Sequence, residues 1–257
     1  MKTVAILPAR YGSTRFPGKA LALLCGKPMI QHVYERTCQA SLVDQVLVAT
    51  DDQRIYDVIT AQGGIAVMTS PDHETGTDRL AEVAAKLDAD VIVNVQGDEP
   101  LIDPAVIDLA LRPFQEQSGV MMSTLDAPIT SIDDYFSPNV VKVVTDLQGN
   151  ALYFSRAPIP LVRDCTALTQ AAIDDGTIKA NRHIGLYAFQ RQCLLRYAAL
   201  AQTPLETTEK LEQLRALENG IAIRVLMTDH VAVGVDTPED LQRAEALMQA
   251  DDGRKRI

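Results

Sequence analysis

The chain has 257 residues, 47% of them hydrophobic, and a formal net charge of −10. That length and apolar content suit one large α/β unit with a sizeable core, and the acidic balance argues against a nucleic-acid surface, which is built from basic patches. None of Cys25, Cys38, Cys165 and Cys193 forms a C-x-x-C pair and no run of 18 apolar residues exists, so free thiols in a reducing cytoplasm are expected and a membrane span is not.

Thr3 to Leu7 is an apolar run long enough for one buried strand. It opens into a loop with Pro8, Gly12, Pro17 and Gly18, in which Arg10, Arg15 and Lys19 supply three cations within ten residues. Backbone N–H groups in a Gly/Pro loop, flanked by cations, make a cradle for an anion. The spacing is neither G-x-G-x-x-G nor G-x-x-x-x-G-K-[ST], so dinucleotide and Walker loops are excluded. Helical and strand-like runs then alternate. Helices are expected over 28–40, 52–62, 77–87 (capped at Thr77) and 103–117, and strands over 46–49, 65–68 and 91–95.

This alternation predicts a Rossmann-like, doubly wound, mostly parallel sheet, with ligands at the carboxyl ends of its strands. Those ends carry Arg10, Asp51, Asp52, Thr69, Ser70 and Gln96 to Asp98. After residue 118 the pattern changes to a smaller mixed α+β lobe. It holds a strand over 120–125, a hairpin of 140–146 with 151–155, and a polar mobile loop over 163–180. A strand over 181–190 and helices over 192–201 and 206–219 follow. Late strands over 221–227 and 231–235 and a helix over 238–248 return to the core. The expected division is 1–119 plus 231–250 for the nucleotide-binding core, 120–230 for the lobe, and 251–257 as a disordered tail.

Two carboxylates stand at strand ends far apart in sequence, Asp98 and Asp236. Their spacing alone leaves a metal site and plain turn or helix-start roles open. Glu74 to Arg79 reads as a helix cap or a nucleotide contact. His183 and Tyr187, four apart in a strand, share a face. His183 is either a packed core histidine or a ligand contact. Glu212 and Gln213 lie on a helix face that is solvated or functional. His32, His73 and His230 read as structural or surface residues.

The loop Ala9-Arg10-Tyr11-Gly12-Ser13-Thr14-Arg15-Phe16-Pro17-Gly18-Lys19 resembles the signature of the sugar-activating nucleotidyltransferases. More narrowly it resembles the 3-deoxy-manno-octulosonate (Kdo) cytidylyltransferase family. Residues 93–100, 151–156, 183–187, 211–215 and 234–240 resemble that family in its order. Ala20 departs from it, standing where the family has Pro, and so does the stretch 163–180.

The resemblance implies transfer of CMP from CTP to an acid sugar. Kdo is expected; an 8-amino analogue, neuraminic acid or a non-catalytic nucleotide-sugar module are the alternatives. It implies Mg2+ on Asp98 and Asp236, with Arg10, Arg15 and Lys19 on the triphosphate. Nucleotide contacts would come from Ala9, Arg10, Ser13, Lys19, Met68, Thr75, Gly76, Thr77, Arg79 and Gln96. Sugar contacts would come from Arg156, His183, Tyr187, Glu212 and Gln213. A cytoplasmic homodimer is the implied assembly.

Overall fold

The structure is a computed structural model. It describes all residues except 13–15, 74, 164–167, 231–232 and 256–257, together with the side chains of 251–255. The chain forms two compact units, Met1–Leu111 with Ala232–Ile257, and Arg112–Val231.

In the first unit, β1 (Thr3–Ala9) lies at the centre, and five of its seven residues are apolar and buried. A strand covered on both faces needs such a run. After β1 come a 3-10 turn over Lys19–Leu21, the short strands β2 (Leu23–Leu24) and β3 (Lys27–Pro28), and α1 (Met29–Thr37). Next are β4 (Gln45–Thr50), α2 (Gln53–Thr60), β5 (Ala66–Met68), α3 (Gly76–Ala85) and β6 (Val91–Asn94). The four long-range strands pair in parallel in the order β6-β1-β4-β5. The chain winds outward from β1 to β5, then returns to place β6 on the other side of β1. That reversal makes the carboxyl ends of β1 and β6 the ligand position.

Helix starts carry their own chemistry. The carboxylate of Asp52 accepts from Arg54 N at 2.9 Å and caps α2. In α3 the cap is Thr75, not the expected Thr77: its hydroxyl accepts from Asp78 N while Asp78 accepts from Thr75 N, a closed capping box. The expected strand over 231–235 is absent among its described residues 233–235, which run as coil with one backbone bond, Val235 N to Asp98 O at 2.9 Å. The terminal helix extends over Pro238–Lys255, so the expected disordered tail is helical backbone as far as Lys255. Val235 and Ala244 are buried with Leu24 and Met29, and Leu241 packs on them, which ties the terminal segment to the β2–β3 hairpin.

Helix α4 (Pro104–Glu116) leads into the second unit. There follow β7 (Met122–Pro128), α5 (Ile132–Phe136), β8 (Lys142–Thr145), β9 (Ala151–Ser155), α6 (Gln170–Asp174) and β10 (Asn181–Gln190). The unit ends with α7 (Arg191–Ala198), α8 (Pro204–Glu209), α9 (Leu214–Glu218) and β11 (Ile223–Met227). Strand β7 pairs antiparallel with β10 and parallel with β11, and β8 joins β10 to β9 in the expected hairpin.

Two expectations fail in this unit. Of the stretch 163–180, residues 164–167 lie outside the described residues. Residues 168–180 hold α6, with Ala172, Ile178 and Ala180 buried against Tyr135, so apolar packing fixes this part where its polarity suggested a mobile loop. The single helix over 206–219 is two helices, because Lys210 adopts φ +54° and turns the chain. Pro204 and the Thr203–Glu206 capping box start the first of them early. Glu212 and Gln213 therefore lie in the turn between α8 and α9 rather than on a helix face.

Candidate active site

A cavity of about 390 Å³ opens at the carboxyl ends of β1 and β6. Ala9, Arg10, Lys19, Thr75, Gly76, Arg79, Gln96, Asp98 and Asp236, all expected site residues, line it. Thr77 is buried in α3 and Met68 is exposed at the end of β5, and neither lines the cavity. Ser13, Arg15 and Glu74 lie outside the described residues.

Lys19 organises the rim. Its Nζ donates to Asp98 Oδ2 at 2.6 Å, to Asp236 Oδ1 at 3.0 Å and to the Val235 carbonyl at 3.3 Å. Burial works against its charge, but hydrogen bonds and attraction from Asp98, then Asp236, outweigh that and raise its pKa. Glu99, next in the chain, is buried, and burial together with the charge of Asp98 pushes its carboxyl up to about 7.

The loop is held in shape around this lysine. Gly18 N donates to the Tyr11 carbonyl at 2.9 Å, and Gly18 adopts φ +72°. A Cβ on Gly18 would meet the Tyr11 ring at 2.9 Å, so glycine meets both requirements at once. The Arg54 guanidinium lies 3.5 Å from the centre of the same ring and also pairs with Asp52. Gly97 permits the turn after β6 to touch the end of β1: a Cβ there would lie 2.9 Å from the Pro8 carbonyl. Gly97→Ala is expected to cost about 1–3 kcal/mol of stability, read by thermal denaturation.

Arg79 is a wall residue with its guanidinium engaged. It pairs with Asp51 at 2.9 Å and hydrogen-bonds Thr69 Oγ1. His73, read from the sequence as a structural or surface residue, lines the cavity with Nε2 2.8 Å from Glu82. Its position one residue before Glu74 was the available signal.

The expected sugar-binding residues lie in the second unit. The guanidinium of Arg156 is spent on main-chain carbonyls, of Glu209 at 2.7 Å, Pro138 at 2.8 Å and Lys210 at 3.3 Å. Its main-chain carbonyl in turn accepts from the fully buried Lys142 at 2.7 Å. Arg156 thus staples three segments together in this structure. Gln213 is buried at the start of α9, and Glu212 follows Leu211 in the same turn, its carbonyl accepting from Tyr197 OH at 2.7 Å.

His183 and Tyr187 do share a face, and they are closer than a regular strand allows. Residues i and i+4 of an unbulged strand stand about 13 Å apart, whereas these two rings have centres 5.3 Å apart. The β10 ladder explains this: His183 pairs with Asp126 and Tyr187 with Thr124, only two residues away on β7. A bulge that adds two residues keeps the face and shortens the span. Phe154 packs edge-on against His183 at 5.0 Å. The Tyr187 hydroxyl is buried with no hydrogen-bond partner among the described residues, an arrangement that costs about 1–3 kcal/mol and suits a group kept for a ligand.

Burial lowers the His183 pKa to about 3, so its ring is neutral. The unfolded chain, with an ordinary histidine near 6.5, then binds more protons between those values. Stability from this residue is therefore lost as pH falls from about 6.5 towards 3. The stability difference between wild type and His183→Gln, followed by denaturation across that window, is expected to shrink as pH falls.

Among the described residues no group of three or more His, Cys, Asp or Glu is placed to hold a metal ion, and no helix is long and apolar enough to cross a membrane. The rim offers two carboxylates that converge on one cation, the Lys19 ammonium. That donor set fits magnesium, which takes few protein carboxylates and completes its shell with water and phosphate oxygens.

The cytidylyltransferase family matches residues 4–223. A 3-deoxy-manno-octulosonate cytidylyltransferase of Trichlorobacter lovleyi is 62% identical over 97% of this chain and 99% of its own. One from Geobacter metallireducens is 59% identical over 95% and 96%. The solved structure of a CMP:2-keto-3-deoxy-manno-octonic acid synthetase complexed with CTP is 43% identical, with a TM-score of 0.90 over 98% of this chain and 100% of that one. The chain belongs to the 3-deoxy-manno-octulosonate cytidylyltransferase family.

Proposed function

We propose that the chain transfers CMP from CTP to the anomeric hydroxyl of Kdo, giving CMP-Kdo, which feeds lipopolysaccharide synthesis, and pyrophosphate. The observation that carries this reading is the convergence of Lys19, Asp98 and Asp236 at the mouth of a cavity between the ends of β1 and β6. The sugar hydroxyl attacks the α-phosphorus in line, and the bond to the pyrophosphate oxygen breaks. Rate then depends on positioning and on neutralising charge that builds on the leaving group.

Asp98 and Asp236 would hold Mg2+, which neutralises and orients phosphate oxygens when bound. Lys19, whose ammonium lies against both carboxylates, would then pair with the triphosphate. Arg10, exposed at the end of β1, adds a second cation, and loop N–H groups add donors. Gln96 and Thr75 would contact the nucleoside. The second unit would recognise the sugar through His183, Tyr187 and the 212–213 turn. A cytoplasmic homodimer belongs to the same proposal, and sizing of the purified protein tests the dimer.

The test is pyrophosphate release measured over four nucleotides against Kdo, 8-amino-Kdo and neuraminic acid. Release with CTP and Kdo, well above every other pair, is expected. Faster release with another acid sugar would reassign the substrate. No release with CTP and any acid sugar would remove the enzymatic reading.

A further inference from the structure

The bulge that brings His183 to Tyr187 has an internal brace, Thr124 on β7. Its side chain is fully buried. Thr124 Oγ1 lies 2.9 Å from the Leu186 carbonyl, 3.1 Å from the Ile184 carbonyl and 2.9 Å from His183 Nε2. The ladder steps from Ile184 opposite Leu125 to Tyr187 opposite Thr124, so β10 takes three steps where β7 takes one.

A count of protons assigns the roles. A hydroxyl has one proton and two lone pairs, and a carbonyl oxygen can only accept. The Thr124 proton therefore goes to the bulge, to Leu186 at the shorter distance, because an Oγ1 held 2.9 and 3.1 Å from two carbonyls would otherwise face both with lone pairs. Oγ1 then faces Nε2 with a lone pair, so Nε2 must carry the hydrogen. The ring is neutral, with its pKa lowered to about 3 by burial, and holds no second proton. Nδ1 is left as a bare acceptor, and among the described residues no protein group donates to it.

We propose that Thr124 is a positioning residue for sugar recognition: its hydroxyl braces the bulge and fixes His183 as the Nε2–H tautomer, so that Nδ1 accepts a hydrogen bond from a sugar hydroxyl. A carboxylate would meet this lone pair with repulsion. His183 thus selects the polyol part of the substrate and not its acid group. The proposal rests on the reading of His183 as a sugar contact.

Two measurements on the full-length protein separate the proposal from that reading. Long-range proton–nitrogen correlation on histidine-labelled, ligand-free protein reports the tautomer, with His183→Gln assigning the signal. A protonated Nε2 and a bare Nδ1 are expected. A protonated Nδ1 or a doubly protonated ring at neutral pH would overturn the proposal without any assay.

Steady-state kinetics then compare Thr124→Val, which keeps the shape and loses the hydroxyl, with Thr124→Ser, which keeps it. Thr124→Val is expected to raise the KM for Kdo about tenfold, the effect of one lost hydrogen bond, with the KM for CTP unchanged and the fixed tautomer lost. Thr124→Ser should retain both the tautomer and the KM. Wild-type KM and tautomer in Thr124→Val would overturn the proposal. If that variant fails to fold, the wild-type tautomer and the serine variant decide it. A wild-type KM for Kdo in His183→Gln would overturn the sugar-contact reading whatever the tautomer.

Discussion

Asp98→Asn is expected to lower turnover about a thousandfold or more, and Asp236→Asn the same, while CTP still binds. Each substitution is nearly isosteric and removes one of two negative charges that converge on a single cation 2.6 and 3.0 Å away. In the working enzyme those charges would hold the magnesium that neutralises the triphosphate. Loss of one preorganised electrostatic contact in a transition state typically costs 10²–10³ in rate. Here the loss would disable the proposed two-ligand magnesium site as a whole. Much of the cavity lining proposed to contact CTP, including Arg10, Thr75 and Gln96, is untouched, so affinity is expected to survive in part. Turnover measured as a function of magnesium, with calorimetric CTP binding, checks both halves. Full magnesium-dependent turnover in either variant would refute the assignment.

The largest stability effect is expected at Arg215. Its guanidinium donates to Glu206 at 2.9 and 2.5 Å, and the two side chains are only 6% and 8% exposed. Arg215 also covers the Tyr197 ring at 5.6 Å. Glu206 has a second task, since it accepts from Thr203 N at 3.1 Å in the capping box of α8. Arg215→Met keeps much of the packing but leaves a buried carboxylate without its cation. Breaking such a pair costs about 3–5 kcal/mol, which lowers the melting temperature by about 10 °C in a protein of this size. Adding Glu206→Gln is expected to recover part of the loss, because the unpaired charge disappears. Equal melting temperatures for wild type and Arg215→Met would contradict this account.

The parts of the fold legible in the sequence are those set by local patterns. Continuous apolar runs gave β1, β4 and β6, and the Asn181–Gln190 strand came out with its observed bounds. Local patterns failed where one residue or a distant contact decides. Nothing around Lys210 announces a left-handed turn, yet it breaks a helix in two. Two threonines compete to cap α3, and Asp78 decides for Thr75 by returning the hydrogen bond.

At the site, the loop chemistry of Arg10 and Lys19 could be read as an anion cradle, but not its partner 217 residues further on. Only the folded sheet brings Asp236 to Lys19. Arg156 carried a free cation in the sequence reading, whereas three carbonyls claim its guanidinium in the structure. The nearness of His183 and Tyr187 depends on a bulge that a four-residue spacing conceals, and the threonine that braces it lies on another strand.

The central claim is that the cluster of Lys19, Asp98 and Asp236 directs a sugar hydroxyl to the α-phosphorus of CTP. The direct measurement follows CTP labelled separately at the α- and γ-phosphates through one round with Kdo and magnesium. The α label is expected in the sugar product and the γ label in pyrophosphate. A γ label in the sugar product, or label release that does not depend on the sugar, would contradict the account.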